Sequence, residues 1–329
     1  MAKLLGISEG TRFALFLFSD GTVFSSGENA NSELGLGENS PPELDIPQKI
    51  PTLSNVVAIS AGSSHAAAVT KNGQVFAWGQ NNLSEVTTQL REIFYEPFLI
   101  PSLQNIKSVS LALNYSVALD ASGSVWQWGG YNDYEKSSPH KLPIPSEIVW
   151  VGAIDLCAFA VDSSGQLFWW KSPSYNRRSI TPPEYPTLLP FDRKILEASV
   201  GIAHLLIKAD DKKLYGMGEN YDLSLLSNDN IGTLYTPTKL DINRYSVKAF
   251  VAGKIFSAIL TNKNKIYLWG TTTSIASDNY EHIYDTQTLM PDKDNLIRKI
   301  LFSKYSTCSP SPKEIENLQR KLLAKDIAL

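Results

Sequence analysis

Three observations predict an all-β fold, a β-propeller of six four-stranded blades. The stretch SDGTVFSSGEN at 19–29 recurs as KNGQVFAWGQN at 71–81, ASGSVWQWGGY at 121–131, SSGQLFWWK at 163–171, DDKKLYGMGEN at 210–220 and KNKIYLWG at 263–270. The equivalent positions Gly27, Gly79, Gly129, Lys171, Gly218 and Gly270 lie 52, 50, 42, 47 and 52 residues apart, which is the period of one four-stranded blade. Most copies carry a turn pair such as Asn72-Gly73 between two apolar runs, the signature of a hairpin. One such unit cannot bury both of its faces, so the blades must stack around an axis and close.

Residues 56–81 serve as the template for each element. A first strand carries Val57 and Ile59, a second runs from Ala66 to Thr70, and a third from Val75 to Trp78. Along the third strand Phe76 and Trp78 share a face, as do their counterparts in the other copies, and these aromatics are expected to pack between blades. A fourth strand follows a variable loop and is marked by proline, at 46–51, 96–101, 138–143, 185–190, 236–240 and 286–291. Proline cannot donate to a ladder, so these segments read as outer edges.

Beyond them, LIRKILF at 296–302 resembles another first strand but reaches no hairpin, which leaves a seventh blade as the alternative. Ser311 with Glu314 forms a capping box, Pro312 takes the first helical position, and Ile315, Leu318, Leu322 and Leu323 form one apolar stripe. The chain therefore divides into a propeller over 1–296 and a closing strand with a short C-terminal α-helix over 297–329, the helix covering an end or seam of the ring.

The bulk numbers describe an ordinary water-soluble chain. Of 329 residues 43 % are hydrophobic and 19 % charged, and the net charge of -3 gives no pull toward nucleic acid or membrane. Cys157 and Cys308 are too few for a disulfide framework, which fits a reducing compartment. No run reaches membrane-spanning length and the N-terminus lacks a signal-peptide core, so the expectation is a cytoplasmic monomer without a membrane span.

Catalytic chemistry has no visible seat. The four histidines, His65, His140, His204 and His282, have no metal-ligand spacing among them. His65 and His204 fill a repeat position that Phe13, Tyr115, Cys157 and Phe256 fill elsewhere, which makes it a packing position and Cys157 a small buried hydrophobe. There is no phosphate-binding glycine loop and no serine-nucleophile elbow, so neither metal nor cofactor is expected.

Charge placement is more telling. In an up-and-down blade, the loops joining third to fourth strands open on the same face as the turns joining first to second. Those six loops hold sixteen acids against five bases, a net of -11 that leaves +8 for the rest of the chain. A disc with one negative face is expected, able to steer a basic protein surface and to repel nucleic acid. Its candidate contact residues are Glu28, Glu33, Glu38, Glu85, Asp133, Glu135, Glu219 and Asp222, with Asp155 in a neighbouring turn. The fourth repeat interrupts this rim with the basic loop KSPSYNRRS. There Trp169, Lys171, Tyr175, Arg177 and Arg178 have the composition of an interface anchor.

The pattern Gly62, His65, Ala68-Val69, Gly73, Val75, Trp78-Gly79, together with Gly21, Gly27, Asn29 and Leu34-Gly35 in the first copy, resembles the regulator of chromosome condensation repeat. The likeness runs over about residues 4–291. It implies a β-propeller, seven-bladed in the founding members, and a protein-interaction role. Members include nuclear exchange factors for the small GTPase Ran, ubiquitin-ligase proteins, and bacterial effectors that act on Ran in host cells. The resemblance therefore implies a Ran-like GTPase as partner and guanine-nucleotide exchange as the activity, the other reading being a non-catalytic scaffold. In the exchange factors a wedge projects from the third blade, whereas the third loop here, 130–138, is the shortest of the six.

Overall fold

The structure is a computed structural model that describes residues 2–285, apart from 3, 89–91, 131–137, 174–181, 221–224, 226–231, 243–244, 254–255, 264 and 271–281. Six four-stranded antiparallel sheets each use one unbroken stretch of chain, in spatial order first, second, third, fourth. Blade 1 contains β1 (Leu4–Glu9), β2 (Phe13–Phe18), β3 (Val23–Glu28) and β4 (Glu43–Lys49). Blade 2 contains β5 (Val56–Ala61), β6 (His65–Thr70), β7 (Val75–Gln80) and β8 (Ile93–Leu99), and blade 3 contains β9 (Ile106–Leu111), β10 (Tyr115–Asp120), β11 (Val125–Gly129) and β12 (His140–Lys141). Blade 4 follows with β13 (Ile148–Ala153), β14 (Cys157–Asp162), β15 (Leu167–Lys171) and β16 (Thr187–Leu188). Blade 5 contains β17 (Ile195–Val200), β18 (His204–Ala209), β19 (Leu214–Glu219) and β20 (Thr233–Lys239), and blade 6 contains β21 (Val247–Ala252), β22 (Phe256–Thr261), β23 (Lys265–Gly270) and β24 (His282–Asp285). The six-bladed propeller expected from the repeats is thus the fold. The expected helix at 311–325 and the fragment at 292–310 lie outside the described residues.

Burial explains why the repeat looks as it does. The second strands are buried along their whole length in β6, β10, β14 and β22, because both faces of that strand lie against neighbouring blades. The third-strand positions Trp78, Trp128, Trp170, Met217 and Trp269 are all 5 % exposed or less. They fill the seams: Trp78 and Trp128 belong to the core shared by blades 1 to 3, and Trp170 to the core between blades 3 and 4.

The fourth strands are the outer edges expected of them. Pro47, Pro97 and Pro237 lie inside β4, β8 and β20. Each sits where the pairing slips, between Ser25 and Gly27, Ala77 and Gly79, or Gly216 and Gly218 of the partner strand. A bulge asks for no ladder donor at that point, so proline costs nothing there. In blade 6 the described fourth strand is His282–Asp285 and precedes the predicted 286–291.

The innermost strands encircle an axial cavity of about 200 Å³ near the turns that join first to second strands. There the blades are tied by serine hydroxyls. Ser8 Oγ accepts the main-chain N–H of Ala61 at 2.9 Å, Ser60 that of Leu111 at 3.0 Å, Ser110 that of Ala153 at 3.0 Å, and Ser199 that of Ala252 at 3.1 Å. Blade 4 has Gly152 at this position. A Cβ there would come within 2.4 Å of the Trp150 ring and 2.7 Å of Val200 Cγ1, so packing of an indole takes the place of a hydrogen bond.

Candidate functional site

In blades 1, 2 and 5 the loop between third and fourth strands is built around an asparagine two residues past the repeat's terminal glycine. Asn29 Oδ1 accepts the N–H of Leu34 at 3.0 Å, Asn81 Oδ1 those of Val86 and Thr87 at 2.9 Å each, and Asn220 Oδ1 that of Leu225 at 2.8 Å. This turns the loop inward and buries Leu34, Val86 and Leu225.

The same geometry buries two of the expected rim acids. Glu33 is 6 % exposed and Glu85 1 %. Glu33 accepts the N–H of Asn31 at 2.8 Å and its side-chain amide at 2.9 Å, and Glu85 accepts the N–H of Leu83 at 2.8 Å. Their main-chain carbonyls accept the indole N–H groups of Trp78 and Trp128, both at 2.8 Å, across the seam to the next blade. Burial pushes the Glu85 carboxyl up to about 7, against hydrogen bonds that favour the charged form. Glu33 and Glu85 are therefore latch residues between blades, not open contacts for a partner. Their position was legible, since ANSEL at 30–34 and NLSEV at 82–86 place Ser-Glu-apolar at one fixed distance from the repeat glycine. A solvated acid has no reason to keep such a spacing.

The remaining candidates are distributed as follows. Glu28 ends β3 and is held by Arg12, whose Nη1 donates to both carboxylate oxygens at 3.1 Å. Glu38 is exposed, and so are Glu43, Asp45, Glu92 and Glu96. These gather on blades 1 and 2: Glu43 stands opposite Glu28 in register, and the loop carrying Glu38 lies on β8, where a Cβ at Gly37 would be 3.3 Å from Glu96 Oε1. Glu219 is half-buried at the end of β19, and Asp155 is half-buried in the turn of blade 4, its N–H donating to Ile202 O at 2.8 Å. Asp133, Glu135 and Asp222 lie outside the described residues.

Among the described residues the opposite face exposes Lys71, Arg193, Lys194, Lys212, Lys213 and Lys263 together with Asp20, Glu147, Asp192, Asp210 and Asp241, so it carries both signs. Of the acids counted in the loops between third and fourth strands, the described ones that are exposed lie on blades 1 and 2.

The fourth-repeat patch is also revised. Trp169 is half-buried and packs on the core between blades 4 and 5, so its ring is a seam filler and not a protruding anchor. Lys171 reaches Glu184 at 3.8 Å, while Tyr175, Arg177 and Arg178 lie outside the described residues.

The repeat position of His65 is structural, as expected. His65 Nε2 and Ser116 Oγ lie 3.0 Å apart, and His204 Nε2 and Ser257 Oγ 2.8 Å apart. Tyr115 takes the same place in blade 3 and donates to Ile154 O at 2.8 Å. Burial pulls the His65 imidazole down to about 3 and pushes the Cys157 thiol upward, so both are neutral packing groups near pH 7. Among the described residues there is no group of three or more His, Cys, Asp or Glu that could hold a metal ion, and no helix long and apolar enough to cross a membrane.

Six four-stranded blades about one axis, with variable loops on one face, define a β-propeller. The chain carries regulator of chromosome condensation (RCC1) repeats: two models of that repeat match residues 20–69 and 56–84. The human regulator of chromosome condensation is 36 % identical over 93 residues, covering 28 % of this chain and 22 % of the relative. Human E3 ubiquitin-protein ligase HERC2 is 26 % identical over 338 residues, covering 94 % of this chain and 7 % of the ligase. The chain thus spans less than a quarter of these relatives' length. Among solved structures, Prp20p from Saccharomyces cerevisiae superposes with a TM-score of 0.69 at 22 % identity over 82 % of this chain and 72 % of Prp20p. Human WBSCR16 gives 0.69 at 21 % identity over 82 % of this chain and 77 % of its own.

Proposed function

We propose that this propeller binds a small GTPase of the Ran type through the acidic sector of its loop face and promotes release of the bound nucleotide. The observation that carries the reading is the pairing of RCC1 repeats at 20–84 with the fold of Prp20p, a protein described with its binding properties to Gsp1p and histones. The exposed carboxylates Glu38, Glu43 and Glu96 on blades 1 and 2 supply the electrostatic complement to a basic GTPase surface.

Exchange requires no bond-making by the propeller. It requires tighter binding to the nucleotide-free GTPase than to the loaded form, and that difference in affinity drives nucleotide out. Asp155, together with Asp133 and Glu135, is the candidate group to compete for the phosphate-site lysine or the magnesium position. The test follows release of a fluorescent guanine nucleotide from Ran. Acceleration by catalytic amounts of the propeller supports the reading, and neither acceleration nor a complex on gel filtration would remove it. A complex without acceleration favours the second reading, a scaffold that docks a partner through the same sector.

A further inference from the structure

Every innermost strand bears a bulge at the same place. Pairing with the second strand slips between Leu4 and Gly6, Val56 and Ala58, Ile148 and Trp150, Ile195 and Glu197, and Val247 and Ala249, and in blade 3 the slip brackets Lys107. The six extra residues are Leu5, Val57, Lys107, Val149, Leu196 and Lys248. A bulged residue leaves the ladder and turns its side chain out of it. Leu5 is 44 % exposed, Val57 51 %, Val149 54 % and Leu196 48 %, and both lysines are exposed as well.

Single exposed aliphatic residues are ordinary on a protein surface. Four of them at one level of six strands that surround a common axis are not scattered, because the fold gathers them at one end of that axis. This end lies opposite the acidic loop face along the innermost strands. The six bulged residues hold two ammonium groups and no acid, and the neighbouring carboxylate, Glu197, is paired with Lys208 at 3.0 Å.

We propose that this ring is a docking site for an extended segment of a partner protein that combines aliphatic and acidic side chains. The apolar majority favours a peptide over nucleic acid, which would require most of the ring to meet phosphates with cations. Hairpin tips seat on links beside the ring: a Cβ at Gly73 would be 2.6 Å from Asn105 Cα, and one at Gly21 2.7 Å from Asn55 Cα. Aliphatic side chains of the segment would cover Val57, Val149, Leu5 and Leu196, with its carboxylates facing Lys107 and Lys248.

The experiment uses the full chain and fluorescein-labelled peptides of about twelve residues, long enough to cross the ring at ~3.3 Å per residue. Alternating Glu-Leu, Glu-Ser and Lys-Leu peptides are compared by fluorescence anisotropy. The Glu-Leu peptide should bind best, and its Kd should rise about tenfold in the double variant Lys107→Glu/Lys248→Glu and again in Val57→Ser/Val149→Ser. All four positions are exposed, so thermal melts should stay close to the parent. Equal binding of the Lys-Leu peptide, unchanged Glu-Leu binding in both variants, no peptide binding, or capture only of anionic vesicles or duplex DNA would each overturn the proposal. Ran binding to the two variants should be unaltered, and its loss would show that the ring is not a separate site.

Discussion

The indole N–H of Trp78 donates to the main-chain carbonyl of Glu33 at 2.8 Å, across the seam between blades 1 and 2. Both residues are buried, and the loop that presents Glu33 is folded around Gly35. Replacing Trp78 with Phe keeps an aromatic filler but leaves that carbonyl without its donor. A loss of roughly 1–3 kcal/mol in unfolding free energy is expected from urea titration. A loss no larger than that of an exposed control substitution would show that the bond contributes nothing.

Gly35 carries the same seam from the other side. Its φ is +65°, and a Cβ would stand 2.7 Å from Trp78 Nε1. Gly35→Ala should therefore destabilise by about 1–3 kcal/mol, combining left-handed backbone strain with displacement of the indole. The two substitutions touch one latch, so the double variant should lose less than the sum of the single losses.

Opposed titrations make a pH prediction. The His65 imidazole is held near 3 against a usual 6.5, so the unfolded chain takes up a proton that the folded one refuses. Stability falls as pH drops from 6.5 toward 3, by about 1.4 kcal/mol per unit. The Glu85 carboxyl is held near 7 against a usual 4.5, so its contribution is full below 4.5 and is lost as pH rises toward 7. Between 4.5 and 6.5 the two slopes cancel. Glu85→Gln should leave the His65 slope uncompensated, so that urea midpoints at pH 7, 6 and 5 decline more steeply than in the parent. A parallel offset at all three pH values would show that Glu85 does not titrate there.

Blade 4 offers a rescue experiment. Gly152→Ser alone should lower the melting temperature, because its Cβ meets the Trp150 ring at 2.4 Å. Adding Trp150→Ala makes room for the hydroxyl to reach the Val200 N–H, as Ser110 reaches that of Ala153. The double variant should melt above Trp150→Ala alone. If it does not, the serine links contribute little beyond packing.

Electrostatics on the loop face can be separated from stability. Glu38 and Glu96 are exposed on adjoining loop and strand, so charge reversal at both should leave the melt unchanged. The association rate with Ran at low salt should fall by about tenfold, and the difference should shrink as salt shortens the screening length. A salt-independent effect would point to lost packing.

The blades were legible because each position repeats under one constraint. A site that is Phe, His, Tyr or Cys in successive copies, as at Phe13, His65, Tyr115 and Cys157, can only be a packing site. The loop face was less legible. Glu33 and Glu38 look alike in composition; the Ser-Glu-apolar spacing marks Glu33 out, but the N–H of Asn31 and its side-chain amide that hold it are brought to it only by the fold. Trp169 misled in the opposite sense, since an aromatic outside the pattern suggests a surface anchor until the seam it fills is seen. The innermost bulges left no mark at all, because Val57 reads as one more apolar residue in a strand.

Each sheet is drawn from one continuous stretch, so among the described residues no blade borrows a strand from a distant part of the polypeptide. Whole modules could in principle be exchanged between such rings without unravelling their neighbours.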